Sequence, residues 1–113
     1  MKNIHLLENL AYNDSKPAIS VLFETDFSKE IRILFKTGQK MNKHQTKFPI
    51  TVEMVVGELD FGVNGEVLAL TRGDLIALEG GVPHDLQAKT DCIVRLALSK
   101  LDDVNRVEKV VNA

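Results

Sequence analysis

Aromatic residues and cysteines are scarce in this chain of 113 residues. Phe, Tyr and Trp together make up 5% of it, and Cys92 is its single cysteine. Acidic and basic residues are mixed along the sequence, with a formal net charge of −2. The chain therefore offers no basic block to follow a phosphate backbone and few rings to stack on bases. We expect no nucleic-acid partner.

Long apolar runs are missing as well. A membrane-spanning helix needs about 20 consecutive apolar residues, whereas the hydrophobic residues here, 44% of the chain, are spread over short segments. The N-terminal stretch MKNIHLLENLAYND carries Glu8 and has no sustained apolar core, so we expect no secretion signal. A single cysteine cannot form an internal disulfide or a cysteine-based zinc site. The sequence predicts no membrane association and a cytoplasmic location.

The chain consists largely of short apolar segments separated by turn residues. These segments have the length and the Val, Ile, Leu and Phe content of strands, and they are 18–23, 30–36, 50–56, 58–63, 66–71, 74–79 and 92–98. Asn64-Gly65 is a strong hairpin signal, because both central residues of a type I′ turn need positive φ. The close spacing of these segments, without a long helical pattern between them, predicts an all-β sandwich or barrel. We expect one domain, residues 1–113.

The C-terminal tail, 99–113, leaves two alternatives open. Leu101, Val104 and Val111 fall near one helical face, and acidic residues precede Lys109 in the order that a helix dipole favours. A short helix over 99–111 is one interpretation. A solvated tail, or a tail that contacts another subunit, is the other.

Two glycine-framed segments carry the candidate chemistry. The spacing of the first is Gly38, five residues, His44, one residue, Thr46, three residues, Ile50, six residues, Gly57. The spacing of the second is Gly73, five residues, Glu79, one residue, Gly81, two residues, His84. In this order, on a chain of short strands, they resemble the two signature motifs of the cupin superfamily. The first of those motifs is built around His-x-His and a glutamate, and the second around Pro-x-Gly and a histidine.

The resemblance covers roughly residues 30–98 and includes the phrases VVGELDFGVNGE and GGVPHDLQA. It is a resemblance to small single-domain, RmlC-like barrel proteins of the cupin 2 type. It implies a double-stranded β-helix, a jelly-roll barrel of two facing antiparallel sheets. Because small cupins commonly pair through a sheet, the resemblance also implies a homodimer. An outward-facing Val55 and the C-terminal segment are compatible with such a contact.

The departures from the motifs bear on metal binding. In metal-binding cupins, three histidines and a glutamate hold one ion inside the barrel, and this chain keeps two of them, His44 and His84. Thr46 stands where the second histidine is expected, Ile50 where the glutamate is expected, and Glu79 where motif two has proline. The resemblance thus implies a degenerate metal motif, in which His44 and His84 remain as ligands for a divalent ion such as iron, zinc, manganese or nickel.

Strand periodicity describes the surroundings of this site. Side chains alternate between the two faces of a strand, which predicts an inward apolar wall made of Ile50, Val52, Met54 and Val56. The same alternation turns Glu53 and Asp85 away from the histidines, so neither replaces the missing carboxylate.

Basic side chains suggest a preference among ligands. The segment 41–47 is predicted to be a loop over the barrel mouth, and Lys40, Lys43 and Lys47 make it basic, which favours an acidic metabolite. Arg32 and Arg95 lie in apolar strands and are expected on the solvated face. The alternative is that one of them presents its guanidinium to an anionic ligand.

Three hypotheses of function remain, and the sequence does not decide whether any reaction is catalysed. The first is a barrel that binds a small, partly apolar or anionic molecule, and its contact residues would be His44, His84, Thr46, Ile50, Val52 and Met54. The second is a metal-dependent oxygenase or isomerase with a reduced site, in which His44 and His84 hold the ion together with water. The third is an assembly protein whose filled barrel is only a scaffold.

Overall fold

The computed structural model describes residues 1–100. This part of the chain forms nine strands and no helix; the strands are β1 (Ala18–Glu24), β2 (Ser28–Phe35), β3 (Lys40–His44), β4 (Ile50–Val56), β5 (Leu59–Val63), β6 (Glu66–Leu70), β7 (Leu75–Leu78), β8 (His84–Ala88) and β9 (Cys92–Ser99). Accordingly, no helix in these hundred residues is long and apolar enough to cross a membrane. The helix proposed for 99–111 lies, beyond Lys100, outside the described residues.

The strands form two antiparallel sheets. The five-stranded sheet has the order β1-β2-β9-β4-β7, and the four-stranded sheet has the order β3-β8-β5-β6. Sequence neighbours such as β2 and β3 thus lie in different sheets, as in a double-stranded β-helix. The predicted all-β jelly-roll barrel is confirmed. The hairpin at Asn64-Gly65 is confirmed too, with φ of 53° and 75° at its two central residues.

Two strands were not among the predicted apolar segments. β3 has the sequence KMNKH and β8 has the sequence HDLQA, and neither is a run of apolar residues. The prediction of a loop over 41–47 is therefore wrong for its first part, because Lys40–His44 pairs with β8. Only the second part of that segment connects β3 to β4 as a loop.

The inward wall of β4 follows the predicted alternation for three of its four residues. Ile50, Val52 and Met54 are at most 2% exposed, whereas Val56 is 40% exposed. The prediction for Val56 is wrong because the register of β4 against β9 shifts between Met54 and Val56. Such a shift moves the following side chain to the other face of the strand.

The two ends of the barrel differ in packing. At one end Phe35, Leu59 and Cys92 are fully buried in a continuous apolar core. At the other end Leu78 and Leu98 pack on that core but remain partly exposed. This second end, which contains the C-terminal end of β3 and the N-terminal ends of β4 and β8, is called the barrel mouth below.

The N-terminal segment covers part of the outer face of the five-stranded sheet. Arg32 in β2 donates hydrogen bonds to the carbonyl oxygens of Leu6, Glu8 and Asn9, at 2.8–3.2 Å. Arg32 therefore lies on the outer face, as expected, but is only 6% exposed. Its cross-strand neighbour Arg95 is more exposed and pairs with two glutamates, Glu30 at 2.9 Å and Glu53 at 3.3 Å.

Candidate functional site

His44 and His84 meet at the barrel mouth. They are directly paired residues of β3 and β8, at the ends of these strands. Their ring centroids are 4.4 Å apart, and the two rings are tilted by 59°. The structure thus brings together the two histidines that the motifs singled out, although 40 positions separate them in sequence.

Phe61 and His44 enclose the ring of His84. The His84 and Phe61 rings are stacked with an angle of 6° between their planes and 5.5 Å between their centroids. His84 is only 2% exposed. This burial lowers the pKa of His84 below its ordinary value of 6.5; the hydrogen bond to Val82 opposes the shift, and the nearby His44 adds to it. His84 is therefore held as a neutral imidazole near neutral pH.

Both imidazoles are oriented by the same kind of hydrogen bond. The Nδ1 atom of His44 lies 2.8 Å from the carbonyl oxygen of Asn42, and the Nδ1 atom of His84 lies 2.9 Å from that of Val82. A carbonyl oxygen can only accept, so each Nδ1 must carry the hydrogen. In a neutral ring this leaves Nε2 with a free lone pair.

Two loops hold the histidines in place. The amide of Gly81 donates to the carbonyl oxygen of Thr46 at 2.7 Å, which joins the loop before β8 to the loop after β3. At Gly80 the contact is so close that an added Cβ would lie 2.3 Å from the carbonyl oxygen of Lys47. The Thr46 hydroxyl donates to the carbonyl oxygen of Phe48, so its hydrogen stabilises this loop.

The apolar residues predicted to contact a ligand fall into two groups. Val52 and Met54 belong to the packed core and are 1% and 0% exposed, which leaves them no surface to offer a ligand. Ile50 is also in the core, but it lines a cavity of about 610 Å³ on the five-stranded side of the mouth. Other residues of this cavity are Phe27, Pro49, Leu78, Glu79 and Leu98. The two imidazoles are not part of its lining.

The donor atoms at the mouth do not fit a tightly held metal ion. Within residues 1–100, no three His, Cys, Asp or Glu side chains are close enough together to hold one. Glu53 is on the outer face, where Arg95 binds it, and the carboxylate of Asp85 lies against Gly62. A catalytic zinc site commonly has three protein ligands, whereas the described residues bring two imidazoles together here.

Sequence reasoning missed Phe61 and the backbone partners of the imidazoles. Phe61 was part of a predicted strand, but nothing in its local sequence indicates that it stacks on a residue 23 positions away. Phe61 comes close to His84 because β5 pairs with β8, with Val63 opposite His84, and that pairing is not visible in the sequence. The carbonyl groups of Asn42 and Val82 carry no sequence signal at all.

Comparison with solved structures shows where this architecture recurs. The chain superposes with a TM-score of 0.81 on an RmlC-like cupin protein from Desulfovibrio desulfuricans, at 25% identity over 88% of this chain and 96% of that one. A conserved protein with a double-stranded β-helix domain from Klebsiella pneumoniae gives 0.78, at 22% identity over 86% and 83%. An RmlC-like cupin from Shewanella frigidimarina gives 0.70, at 19% identity over 85% and 94%. No family model and no curated protein matches the chain.

Proposed function

Because this chain has the fold of a small single-domain protein of the cupin superfamily, we propose that it binds a small molecule at the barrel mouth. In this proposal His44 and His84 are the polar contacts. The observation that carries the proposal is the pair of imidazoles, with ring centroids 4.4 Å apart and the ring of Phe61 stacked on that of His84. Ligand sites in proteins are mostly apolar with a few convergent polar groups.

A cavity at the same end of the barrel supports this proposal. Its volume of about 610 Å³ is in the range of small-molecule sites. Ile50, Leu78 and Leu98 give it apolar walls, and Ser28 and Glu79 add polar groups. These apolar lining residues belong to the ends of β4, β7 and β9 at the barrel mouth, where the histidine pair also lies.

A library of small metabolites, screened by NMR on protein with labelled histidines, tests the proposal. We expect at least one compound to shift the ring resonances of His44 and His84, and to lose affinity by roughly tenfold or more in His44→Ala. His5→Ala is the matched control, because His5 is exposed and lies outside the barrel. If no compound in the library shifts either ring, the protein is better described as a scaffold with a barrel that binds no ligand.

A metal-dependent activity is the second candidate, and one observation favours it. A hydrogen bond from Nδ1 to a backbone carbonyl is the arrangement that orients many metal-binding histidines. The shortage of ligands within residues 1–100 weighs against it. Metal analysis of untagged protein separates the two candidates: a near-stoichiometric ion that is lost in the His44→Ala, His84→Ala double variant would replace the first proposal by the second.

A further inference from the structure

The cavity at the barrel mouth is lined by two cross-strand rows at one end of the five-stranded sheet. The first row is apolar and the second has small side chains; the rows consist of Leu78, Ile50 and Leu98 and of Ala77, Thr51 and Ala97. Small side chains leave room beside a sheet, and both rows belong to the lining of the cavity of about 610 Å³. The strands thus supply mainly apolar walls, and the charge of the cavity depends on the residues around them.

Glu79 gives this cavity its charge. Within residues 1–100 it is the one charged residue of the lining. It directly follows β7 and is exposed, and none of the five ion pairs formed within those residues includes it. Its carboxylate is therefore available to a positively charged group. Glu79 stands where the second cupin motif has proline, so this charge belongs to the present chain rather than to the motif.

Phe27 is a second group that favours a cation. It lies in the turn between β1 and β2, is 57% exposed and lines the same cavity. The face of an aromatic ring attracts a cation electrostatically. The hydroxyl groups of Ser28 and Ser99 also line the cavity and can accept N–H hydrogens. A carboxylate, an exposed ring and two acceptors thus border one mainly apolar space.

We infer that this cavity binds an organic ammonium ion with an apolar body, whose positive charge lies near the carboxylate of Glu79 and whose body packs against Ile50, Leu78 and Leu98. This inference rests on the proposed function and adds the charge of the ligand to it. Neither histidine lines the cavity, so the inference does not depend on the state of the imidazoles.

Anionic ligands fit the cavity poorly, because a carboxylate or phosphate would be repelled by the acidic side chain of its lining. The basic residues that suggested an anionic ligand do not change this. Lys40 and Lys43 line a different depression, on the outer face of the four-stranded sheet. Lys47 has its Nζ 5.7 Å from the ring of Phe48. Lys100 follows a lining residue, but its Nζ donates to a backbone carbonyl oxygen at 2.7 Å.

Three probes of the same shape and different charge test the ligand class near neutral pH. They are cyclohexylammonium, cyclohexanol and cyclohexanecarboxylate, followed by NMR on the methyl groups of Ile50, Leu78 and Leu98 and on the ring of Phe27. We expect the ammonium ion to shift these resonances and to bind roughly threefold to tenfold more tightly than the alcohol, with the carboxylate weakest. Raising the salt from about 20 to about 500 mM should weaken the ammonium ion alone.

Two variants assign the preference to the residues named. Glu79→Gln should remove most of the advantage of the ammonium ion over the alcohol, and Phe27→Leu should reduce it by roughly twofold to fivefold. Neither change should weaken the alcohol as much. Glu66→Gln is the matched control, because Glu66 is exposed in β6 of the other sheet and does not line the cavity. It should leave all three affinities unchanged.

The outcomes separate this inference from the proposed function. Equal or tighter binding of the alcohol or the carboxylate, an unchanged preference in Glu79→Gln, or no shift with any probe overturns the inference. If compounds of the metabolite library shift His44 and His84 in that case, the proposed function stands with a ligand of another charge. If the ammonium ion shifts the cavity resonances and no compound shifts the imidazoles, the inference stands and the role of the histidines as contacts fails.

Discussion

The role of each histidine depends on its surroundings. His5 is exposed near the N-terminus, while His84 is 2% exposed and lies between Phe61 and His44. Burial lowers the pKa of His84 in the folded protein below its ordinary value of 6.5. The unfolded chain therefore binds more protons than the folded one as the pH falls through 6.5, so the folded state loses stability below that pH.

A glutamine at position 84 should reduce this loss. We expect the free energy of unfolding of the wild type to fall between about pH 7.5 and about pH 5.5, and that of His84→Gln to fall less, because the buried titrating group is gone. Urea unfolding at both pH values measures the difference. His5→Gln, which changes an exposed histidine, should keep the pH dependence of the wild type. Equal slopes for all three proteins would contradict the assigned burial effect.

Arg32 is the residue on which the docking of the N-terminal segment depends. Its guanidinium donates to three carbonyl oxygens from that segment. Arg32→Met keeps the aliphatic part of the side chain and removes every donor, and we expect it to lower the free energy of unfolding by about 2–3 kcal/mol. Limited proteolysis should also cut the first ten or so residues faster, since that backbone loses its partners.

Arg72→Met is the control for this prediction, because Arg72 is exposed in the turn between β6 and β7. Its effect on unfolding should stay within about 0.5 kcal/mol. An Arg32→Met protein as stable as the control, with an unchanged rate of N-terminal cleavage, would show that the segment is held by other contacts.

Strands differ in how well the sequence predicts them. β4 and β9 are buried on their inner faces and consist largely of Val, Ile, Leu and Met, so their apolar pattern identifies them. β3 and β8 are short and rich in polar residues, and their apolar content is too low for a pattern. They form because their backbones pair with each other and because β8 also pairs with β5. Pairing between distant segments is not visible in a local window of sequence.

The candidate site shows the same division. Gly57 and Gly81, one from each motif, have φ of 92° and 83°, a conformation that favours glycine. The motif glycines therefore mark positions where the backbone needs positive φ, and a sequence can reveal such positions. The convergence of His44 and His84 was implied by the resemblance of those motifs to the cupin motifs. The cavity, the Phe61 stack and the outward position of Lys43 depend on how the sheets pack, and a single sequence carries no signal for that packing.

Gly80 allows the two loops at the mouth to approach each other. In Gly80→Ala the new Cβ would meet the carbonyl oxygen of Lys47 at 2.3 Å, so the loop backbone must move. We expect a loss of about 1–3 kcal/mol in the free energy of unfolding, together with shifted ring resonances of His44 and His84.

Gly62→Ala is a matched control for that substitution. Its Cβ would meet the carboxylate of Asp85 at 1.9 Å, but that group is the end of a side chain and can rotate away. We expect a loss below about 1 kcal/mol and unchanged resonances of His44. If the two alanine variants behave alike in unfolding and in NMR, the loop contact at Gly80 does not determine the geometry of the mouth.

At the scale of the whole molecule, the other residues of the described range 1–100 leave β1 incompletely covered. It is an edge strand of the five-stranded sheet, and its side chains Ile19 and Val21 are 58% and 54% exposed. Their partners on β2, Ile33 and Ile31, belong to or pack on the core. The inner, apolar face of the sheet thus continues past the barrel onto a strand with one edge that no other strand of residues 1–100 pairs. Native proteins commonly protect such an edge.

We expect a second copy of the chain to pack against β1, in keeping with the homodimer that the resemblance to cupins implies. The double variant Ile19→Lys, Val21→Lys should dissociate the dimer while remaining folded, because charged ammonium groups cannot be buried unpaired in an apolar contact. Sedimentation velocity at about 10 and about 100 µM should show a dimer for the wild type and a monomer for the variant.

Val67→Lys, at a position 70% exposed on the four-stranded sheet, is the control and should remain dimeric. A monomeric wild type at both concentrations would contradict the dimer, and dissociation by the Val67 variant alone would move the interface to the other sheet.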